Sequence, residues 1–404
     1  MTEQHPAGTR VLRRINTATV LDAVRHSAPV PVRLTELVEL TGLTRPTVAQ
    51  AVDQLLESGW LRQHTAATSA QLGGRPAVRV SLNGRAAPVL GLDVGPHTVT
   101  AGVADLAGEQ LAVIHRPVRR GGAKQLLAVI REVTAETLEA AGVPTGDIAM
   151  VAVGTPGIVD ERTGRVLFAP SVPGWSSINL VDHLHGSFDC PIRVENDANL
   201  AALAVAYERA RDGTLLAVQW GERLGAGVVI DGRVHRGAGE AGEIGFIRPP
   251  GQRRPDDNGR GPLERTIGAE AITELARRTA AGHPGSALRD VTDAAAVFSS
   301  AAAGDPVALA VVDQVAATFA QAVAPAVLVL SPHAIVIGGG IARAGDVLLE
   351  AIRRHLDELT LTPPSLELSG LAENTVLTGA LRMALDQVWQ QRLSAVPTAP
   401  AARP

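Results

Sequence analysis

Val89-Leu90-Gly91-Leu92-Asp93-Val94-Gly95 is the stretch from which the fold is read. An apolar run with one aspartate, ended by glycine, has the pattern of a buried strand. Residues 99–105 and 110–115 continue it as hairpin-like strands around Gly108. A helix follows at 123–141, then a strand at 148–153 that ends in Gly154-Thr155-Pro156-Gly157, a strand at 192–195 and a helix at 199–211. The theme then repeats. Strands at 215–219 and 227–230 are followed by helices at 269–280, 293–303 and 306–330, a strand at 334–337 running into Gly338-Gly339-Gly340, and helices at 344–359 and 374–389. Two similar halves of interleaved strands and helices, each with glycine-rich strand ends, predict an α/β body with two lobes around a cleft.

Ahead of this body lies a different pattern. Ile15, Val20, Leu21 and Val24 keep helical spacing, and Leu34, Leu37, Val38 and Leu40 do so again. After Gly42 a third helix carries Val48, Val52, Leu55 and Leu56 on one face, with Thr44 as N-cap, Pro46 in its first turn and Gly59 at its end. Residues 60–64 and 77–82 read as two strands joined by a loop holding Gly73-Gly74-Arg75-Pro76. Helix, helix, glycine turn, helix and hairpin is the layout of a winged helix-turn-helix.

The chain has 404 residues, of which 46% are hydrophobic and 19% charged, which excludes a mainly disordered chain. The single cysteine, Cys190, excludes a disulfide framework and a zinc site built from cysteines. The longest apolar run, 318–330, is cut by Pro325 and falls short of the ~18 residues of a spanning helix. The first ten residues are polar, without the apolar core of a signal peptide, so a cytoplasmic protein without membrane contact is expected. The Ala- and Pro-rich end, 394–404, is expected to be disordered.

Residues 1–85 hold ten arginines against six acidic residues, while the rest is acidic and brings the whole chain to −4. A basic front on an acidic body suits a polyanionic partner. With Val48, Val52 and Leu55 buried, Arg45, Thr47, Gln50 and Gln54 face outward on the third helix. Arginine suits guanine and glutamine suits adenine in a major groove. Arg75, raised by two glycines and stiffened by Pro76, suits an adjacent minor groove. The competing reading is a small helical packing unit with a solvated face and, for Arg75, an ordinary turn.

The chain resembles the ROK family (repressors, open reading frames and sugar kinases) from about residue 15 to 389. In the front segment the resemblance rests on Leu34-Thr35-Glu36-Leu37, Gly42-Leu43-Thr44-Arg45-Pro46-Thr47-Val48 and Gly73-Gly74-Arg75-Pro76. In the body it rests on Gly91-Leu92-Asp93-Val94-Gly95, Gly154-Thr155-Pro156-Gly157-Ile158-Val159-Asp160, Ala169-Pro170-Ser171-Val172-Pro173-Gly174-Trp175 and Val194-Glu195-Asn196-Asp197-Ala198-Asn199. Gly239-Glu240-Ala241-Gly242-Glu243-Ile244-Gly245 and Ile335-Val336-Ile337-Gly338-Gly339-Gly340-Ile341 follow in family order. The resemblance implies a two-lobed actin/hexokinase-like (ribonuclease H-like) body and a homodimer or tetramer pairing DNA-binding heads. The expected boundaries are 10–84 for the head and 88–393 for the body, with a first lobe of about 88–205 plus the helix 374–390 and a second lobe of about 206–373.

A sugar kinase needs a base and a cradle for ATP phosphates. Asp197 matches the family's catalytic aspartate, with capping of the next helix as its plainer role. Where family kinases resemble Gly-Gly-Thr-Lys, this chain has Gly95-Pro96-His97-Thr98. Pro96 removes an N–H donor and His97 adds bulk. The second phosphate segment reads Gly221-Glu222-Arg223-Leu224-Gly225-Ala226-Gly227. Glu222 there opposes phosphate, by ~4 kcal/mol for unit charges 4 Å apart at intermediate dielectric, with Arg223 as partial offset. ATP turnover is therefore not expected, and Asp197 is read as vestigial. Phe246 stands where the family's zinc-site histidine is expected, and no cysteine lies in 248–263, a stretch read as a mobile loop, so zinc is not expected either. The family's sugar contacts map to Asn196, Asp197, Glu243, Phe246 and Glu264, with Ser171 and Gly157 beside them; Glu243 and Glu264 have ion-pair or capping roles as their alternative.

These expectations add up to a DNA-binding transcriptional regulator, a repressor of carbohydrate-related genes, that binds a double-stranded operator and answers to a sugar or sugar derivative in the cleft. The alternatives are an ATP-dependent, glucokinase-like sugar kinase with an added DNA-binding domain, and a ligand sensor acting through a protein partner.

Overall fold

A computed structural model describes residues 7–64, 78–118, 122–209, 213–249, 259–371 and 374–394. Arg75, the remainder of the loop 65–77, and the tail beyond 394 lie outside the described residues, as does most of 248–263.

The head comprises α1 (Ala7–Ser27), β1 (Val32–Arg33), α2 (Leu34–Thr41), α3 (Arg45–Glu57), β2 (Leu61–His64) and β3 (Arg79–Leu82), with the strands ordered β1-β3-β2. The turn between α2 and α3 needs glycine at residue 42, whose φ is +66°. Val20, Leu21 and Val24 of α1, Leu37 of α2, and Val48, Val52 and Leu55 of α3 make the core that the helical spacing marks out.

The first lobe runs through β4 (Val89–Val94), β5 (Thr98–Ala104), β6 (Gln110–Pro117), α4 (Ala123–Ala141), β7 (Met150–Thr155), β8 (Ile158–Val159), β9 (Val166–Phe168), α5 (Leu180–His185) and β10 (Ile192–Asn196). Its sheet has the order β10-β7-β4-β5-β6. After α6 (Asp197–Glu208) the second lobe follows: β11 (Thr214–Trp220), β12 (Leu224–Ile230), β13 (Arg233–His235), α7 (Glu264–Ile267), α8 (Ala269–Ala280), α9 (Ala294–Ala302), α10 (Pro306–Leu330), β14 (Ala334–Gly338), α11 (Asp346–Leu359) and β15 (Ser365–Leu368). Its sheet, β13-β12-β11-β14-β15, repeats the first in mirror listing: an antiparallel meander, then two parallel strands. The chain closes with α12 (Thr375–Leu393).

The helix ending each half crosses to the other. Helix α6 follows the first sheet yet packs on β11 and β12 of the second, and α12 follows the second sheet yet packs on β4 and β7 of the first. The two helices meet along their lengths. Gly379 allows this: a Cβ there would lie 1.9 Å from the carbonyl oxygen of Leu200.

Two features differ from the sequence-based expectation. Helix α10 is the helix expected over 306–330, but Pro325 does not cut it short: at the loss of one backbone hydrogen bond it stays long and apolar enough, by length and composition, to cross a membrane. Val307, Val311, Val315, Phe319 and Val323 bury its inner face in the core of the second lobe. Further, residues 221–227 are not an open loop. β11 and β12 stay paired up to Trp220 and Leu224, leaving only Gly221-Glu222-Arg223 as a tight turn, closed by the Gly221 N–H donating to the Arg223 carbonyl at 2.9 Å.

Candidate functional site

The head presents one face of α3. Thr44 is extended and precedes the first helical residue, Arg45, so the helix begins at the side chains that can meet DNA. Arg45 and Gln50 are exposed, and Thr47 is half-buried with its hydroxyl 2.9 Å from that of Thr44. Gln54 lies further along the same face, but its amide oxygen accepts from the Thr17 hydroxyl at 3.0 Å and ties α3 to α1. Leu12, Arg13, Asn16 and Thr17 of α1 and Thr47, Gln50 and Ala51 of α3 line a shallow hollow of about 150 Å³. Arg13 and Asn16, both half-buried, therefore line this hollow beside Gln50. The sequence reading passed over them because they belong to a helix read only for its core side.

The cleft between the lobes holds a cavity of about 310 Å³. Gly157, Ser171, Asn196, Asp197, Glu243, Phe246 and Glu264, all nominated from the sequence, line it together. Gly157 has φ +97°, and a Cβ there would meet the Phe168 carbonyl oxygen at 2.0 Å. Its own carbonyl accepts from Asn196 Nδ2 at 2.9 Å, while Asn196 Oδ1 accepts from the Asn199 N–H at 3.1 Å. Asn196 thus caps α6, and the capping role offered as an alternative for Asp197 falls to its neighbour.

Glu195 fixes this corner from below. Its Oε1 accepts from the Asn196 N–H and from Asn199 Nδ2, both at 2.9 Å, and its Oε2 accepts from Arg236 Nε of the second lobe at 2.6 Å. Glu264 is likewise committed. Its Oε1 accepts from the Leu224 N–H at 3.0 Å and its Oε2 from the Gly261 N–H at 2.8 Å, with Arg223 at 3.5 Å. Glu264 shapes the wall more than it offers an oxygen to a ligand.

The remaining carboxylates are held differently. Burial pushes Asp197 up to about 6. Burial, with the charge of Asp197 added, pushes Asp93 up to about 7. Glu243 rises to about 7 through burial and the charges of Asp197, Glu264 and Glu240. In the same cavity lining, Phe246 packs edge-on to Phe168, with ring centroids 6.3 Å apart. Phe168 escaped the sequence reading because the short β8–β9 hairpin that carries it has no lasting alternation.

The segments aligned with a phosphate cradle close on each other. His97 of the first lobe stands 3.7 Å from Glu222 of the second, and Arg260 binds Glu222 at 2.7 Å. Glu222 is therefore neutralised by Arg260 and not by Arg223, which faces Glu264. The surviving glycines have packing reasons. A Cβ at residue 227 would meet Ala202 Cβ at 2.4 Å, and Gly339, at φ +79°, lies against the backbone of Trp220. Residues at the family's zinc position do not fit that metal: Phe246 has no donor atom, and Cys190 packs in the first lobe. Among the described residues no three His, Cys, Asp or Glu side chains gather closely enough to hold a metal ion.

Helix α12 joins cleft and head. Val376 lines the cavity at its start. Near its end Trp389 meets Trp60 of the head at 6.3 Å between centroids, Arg25 of α1 covers Trp389 at 4.6 Å, and Arg392 covers Trp60 at 4.8 Å. The head core and the inner face of α12 form one continuous apolar cluster.

Comparison with known proteins agrees with this architecture. The ROK family description matches residues 89–387, and an IclR helix-turn-helix domain matches residues 15–65. The chain is 33% identical to a glucokinase of Halalkalibacterium halodurans over 67% of its own length and 86% of that protein. It is 24% identical to a xylose repressor of Caldicellulosiruptor bescii over 94% of its length and 97% of that one. A crystal structure of a ROK family transcriptional regulator, described as a homolog of the E. coli MLC protein, superposes with a TM-score of 0.76 at 25% identity, covering 95% of this chain and 99% of that one.

Proposed function

The chain belongs to the ROK family, with an IclR-type helix-turn-helix ahead of its ROK domain, and from that premise we propose that it is a sugar-responsive transcriptional repressor. One observation carries the reading: a head with an exposed recognition helix is packed, through Trp60 and Trp389, on the same helix whose start lines the cleft. A relative named as a xylose repressor, matched nearly end to end, supports it.

In this reading Arg45, Thr47 and Gln50 meet base edges in a major groove, while Arg13 and Asn16 of α1 hold the backbone. Arg75 is assigned to the neighbouring minor groove on its sequence context alone. A dimer places two heads on successive major-groove faces, about 34–36 Å apart. A ligand that binds one lobe arrangement better than another shifts α12, and with it the heads. The reading includes a cytoplasmic location and needs neither nucleotide nor zinc. Pro96 lacks a donor, and the His97–Glu222–Arg260 bridge runs between the two segments that would embrace phosphates.

The test is a selection of genomic fragments on the full-length protein, repeated with candidate sugars. Enrichment of a shared motif that one sugar abolishes is the expected result; failure to enrich any motif at low salt overturns the reading. A kinase remains the second reading because Asp197 is retained in the cleft and a glucokinase is 33% identical. Sustained, Asp197-dependent ADP release with ATP and a hexose panel would establish it.

A further inference from the structure

The cleft's carboxylates fall into two sets. Glu195 faces Arg236, Glu264 faces Arg223, and Glu222 faces Arg260 and His97. Asp93 on β4, Asp197 at the start of α6 and Glu243 ahead of the 244–246 turn have no such cation among the described residues. The charges acting on Asp93 and Glu243 are one another's kind: Asp197, Glu264 and Glu240. Arg223, the only cation among the described residues that line the cavity, is engaged by Glu264. The arrangement does not suit an inorganic ion, since no three of these groups converge on one point. A cavity of about 310 Å³, lined by Asp197 and Glu243 but not by Asp93, has room for a monosaccharide. The same lining includes the paired rings of Phe168 and Phe246, with Ile158 and Pro170. Acids without a counter-charge and aromatic rings in the lining of one cavity are what an organic cation needs. A phosphorylated sugar would meet these acids and only one lining cation among the described residues, Arg223, already engaged by Glu264.

Building on the reading of the cleft as a site for a polyhydroxylated ligand, we propose that the ligand carries a protonated amine, as in an amino sugar, with the ammonium between Asp197 and Glu243 and against the Phe246 ring. Asn196 and Ser171 serve the hydroxyls. Because burial and neighbouring acids hold Glu243 at about 7, the arriving ammonium favours its ionised form, and binding near neutrality releases a proton, chiefly from Glu243.

The experiment is isothermal titration of the full chain near pH 7 with glucosamine, galactosamine and mannosamine, their three parent hexoses, and glucose 6-phosphate. Two buffers of different ionisation enthalpy report the protons. The expected result is one hexosamine binding at least tenfold tighter than its parent hexose, no binding of the phosphate, proton release, and affinity that falls as pH is lowered toward 5. Glu243→Gln should level amine and parent and abolish the proton release. Phe246→Leu, which keeps every carboxylate, should lose several-fold for the amine and little for the hexose. A parent hexose binding as tightly as its amine, or binding without proton release, overturns the proposal and leaves the sugar cleft standing. No binding of any sugar overturns both, while the DNA selection judges the head separately.

Discussion

Asp197 begins a helix, where the backbone dipole and the Ala198 N–H favour its charge, yet burial dominates and the folded protein favours the proton. With Asp93 and Glu243 raised to about 7 and Asp197 to about 6, the native state keeps protons that the unfolded chain has already released. Stability from these groups is thus lost as pH rises from ordinary carboxylate values, about 4, through about 7, the reverse of a salt-bridged acid. Urea midpoints should increase between pH 7.5 and pH 5.5, and Glu243→Gln should flatten the slope; a midpoint falling over that interval in the parent chain would contradict the burial assigned here. In the head, Arg45→Ala and Gln50→Ala should each cost ~1–3 kcal/mol of discrimination at one base pair. Gln54→Ala should instead weaken the α1–α3 tie, so DNA titrations against matched and mismatched operators separate the two effects.

Helix α12 is the element on which lobes and head depend. Gly379→Ala places a methyl group against the backbone of Leu200, where no side-chain rotation relieves it, and should cost about 1–3 kcal/mol in denaturant unfolding. Trp389 is 97% buried with its face covered by Arg25. Trp389→Ala should loosen the head without touching the cleft. Its expected signature is unchanged ligand affinity with DNA affinity that no longer responds to ligand, read by fluorescence anisotropy. The spacing of Leu377, Leu381, Leu385 and Val388 marks α12 as a buried helix, but nothing in that pattern says that it packs on the opposite lobe.

At the scale of the molecule, two topologically matched lobes share a seam made by α6 and α12, and the head is seated at the far end of that seam. Specific DNA binding by such a molecule should weaken steeply with salt, as arginine–phosphate contacts release counterions. A plot of log affinity against log salt should keep its slope in Gln50→Ala and lose about one unit in Arg13→Ala. Equal slopes in all three proteins would remove Arg13 from the interface.

The sequence by itself determined the elements and the list of cleft residues. Hydrophobic periodicity is local, so the head helices, both meanders and the strands entering the glycine turns were legible, and the ordered blocks of the resemblance named Gly157, Ser171, Asn196, Asp197, Glu243, Phe246 and Glu264. Only the tertiary structure decided which of these acids carry an unbalanced charge. Glu264 and Glu222 spend theirs on Arg223 and Arg260, whereas Asp93 and Glu243 each feel the charge of Asp197. It also decided that residues 221–223 are a hairpin turn, that α12 connects the cleft to Trp60, and that Phe168 stands beside Phe246. The physical reason is common to all: charge balance, desolvation and ring contact depend on distances between segments far apart in the chain, and residue spacing along one segment carries no record of them.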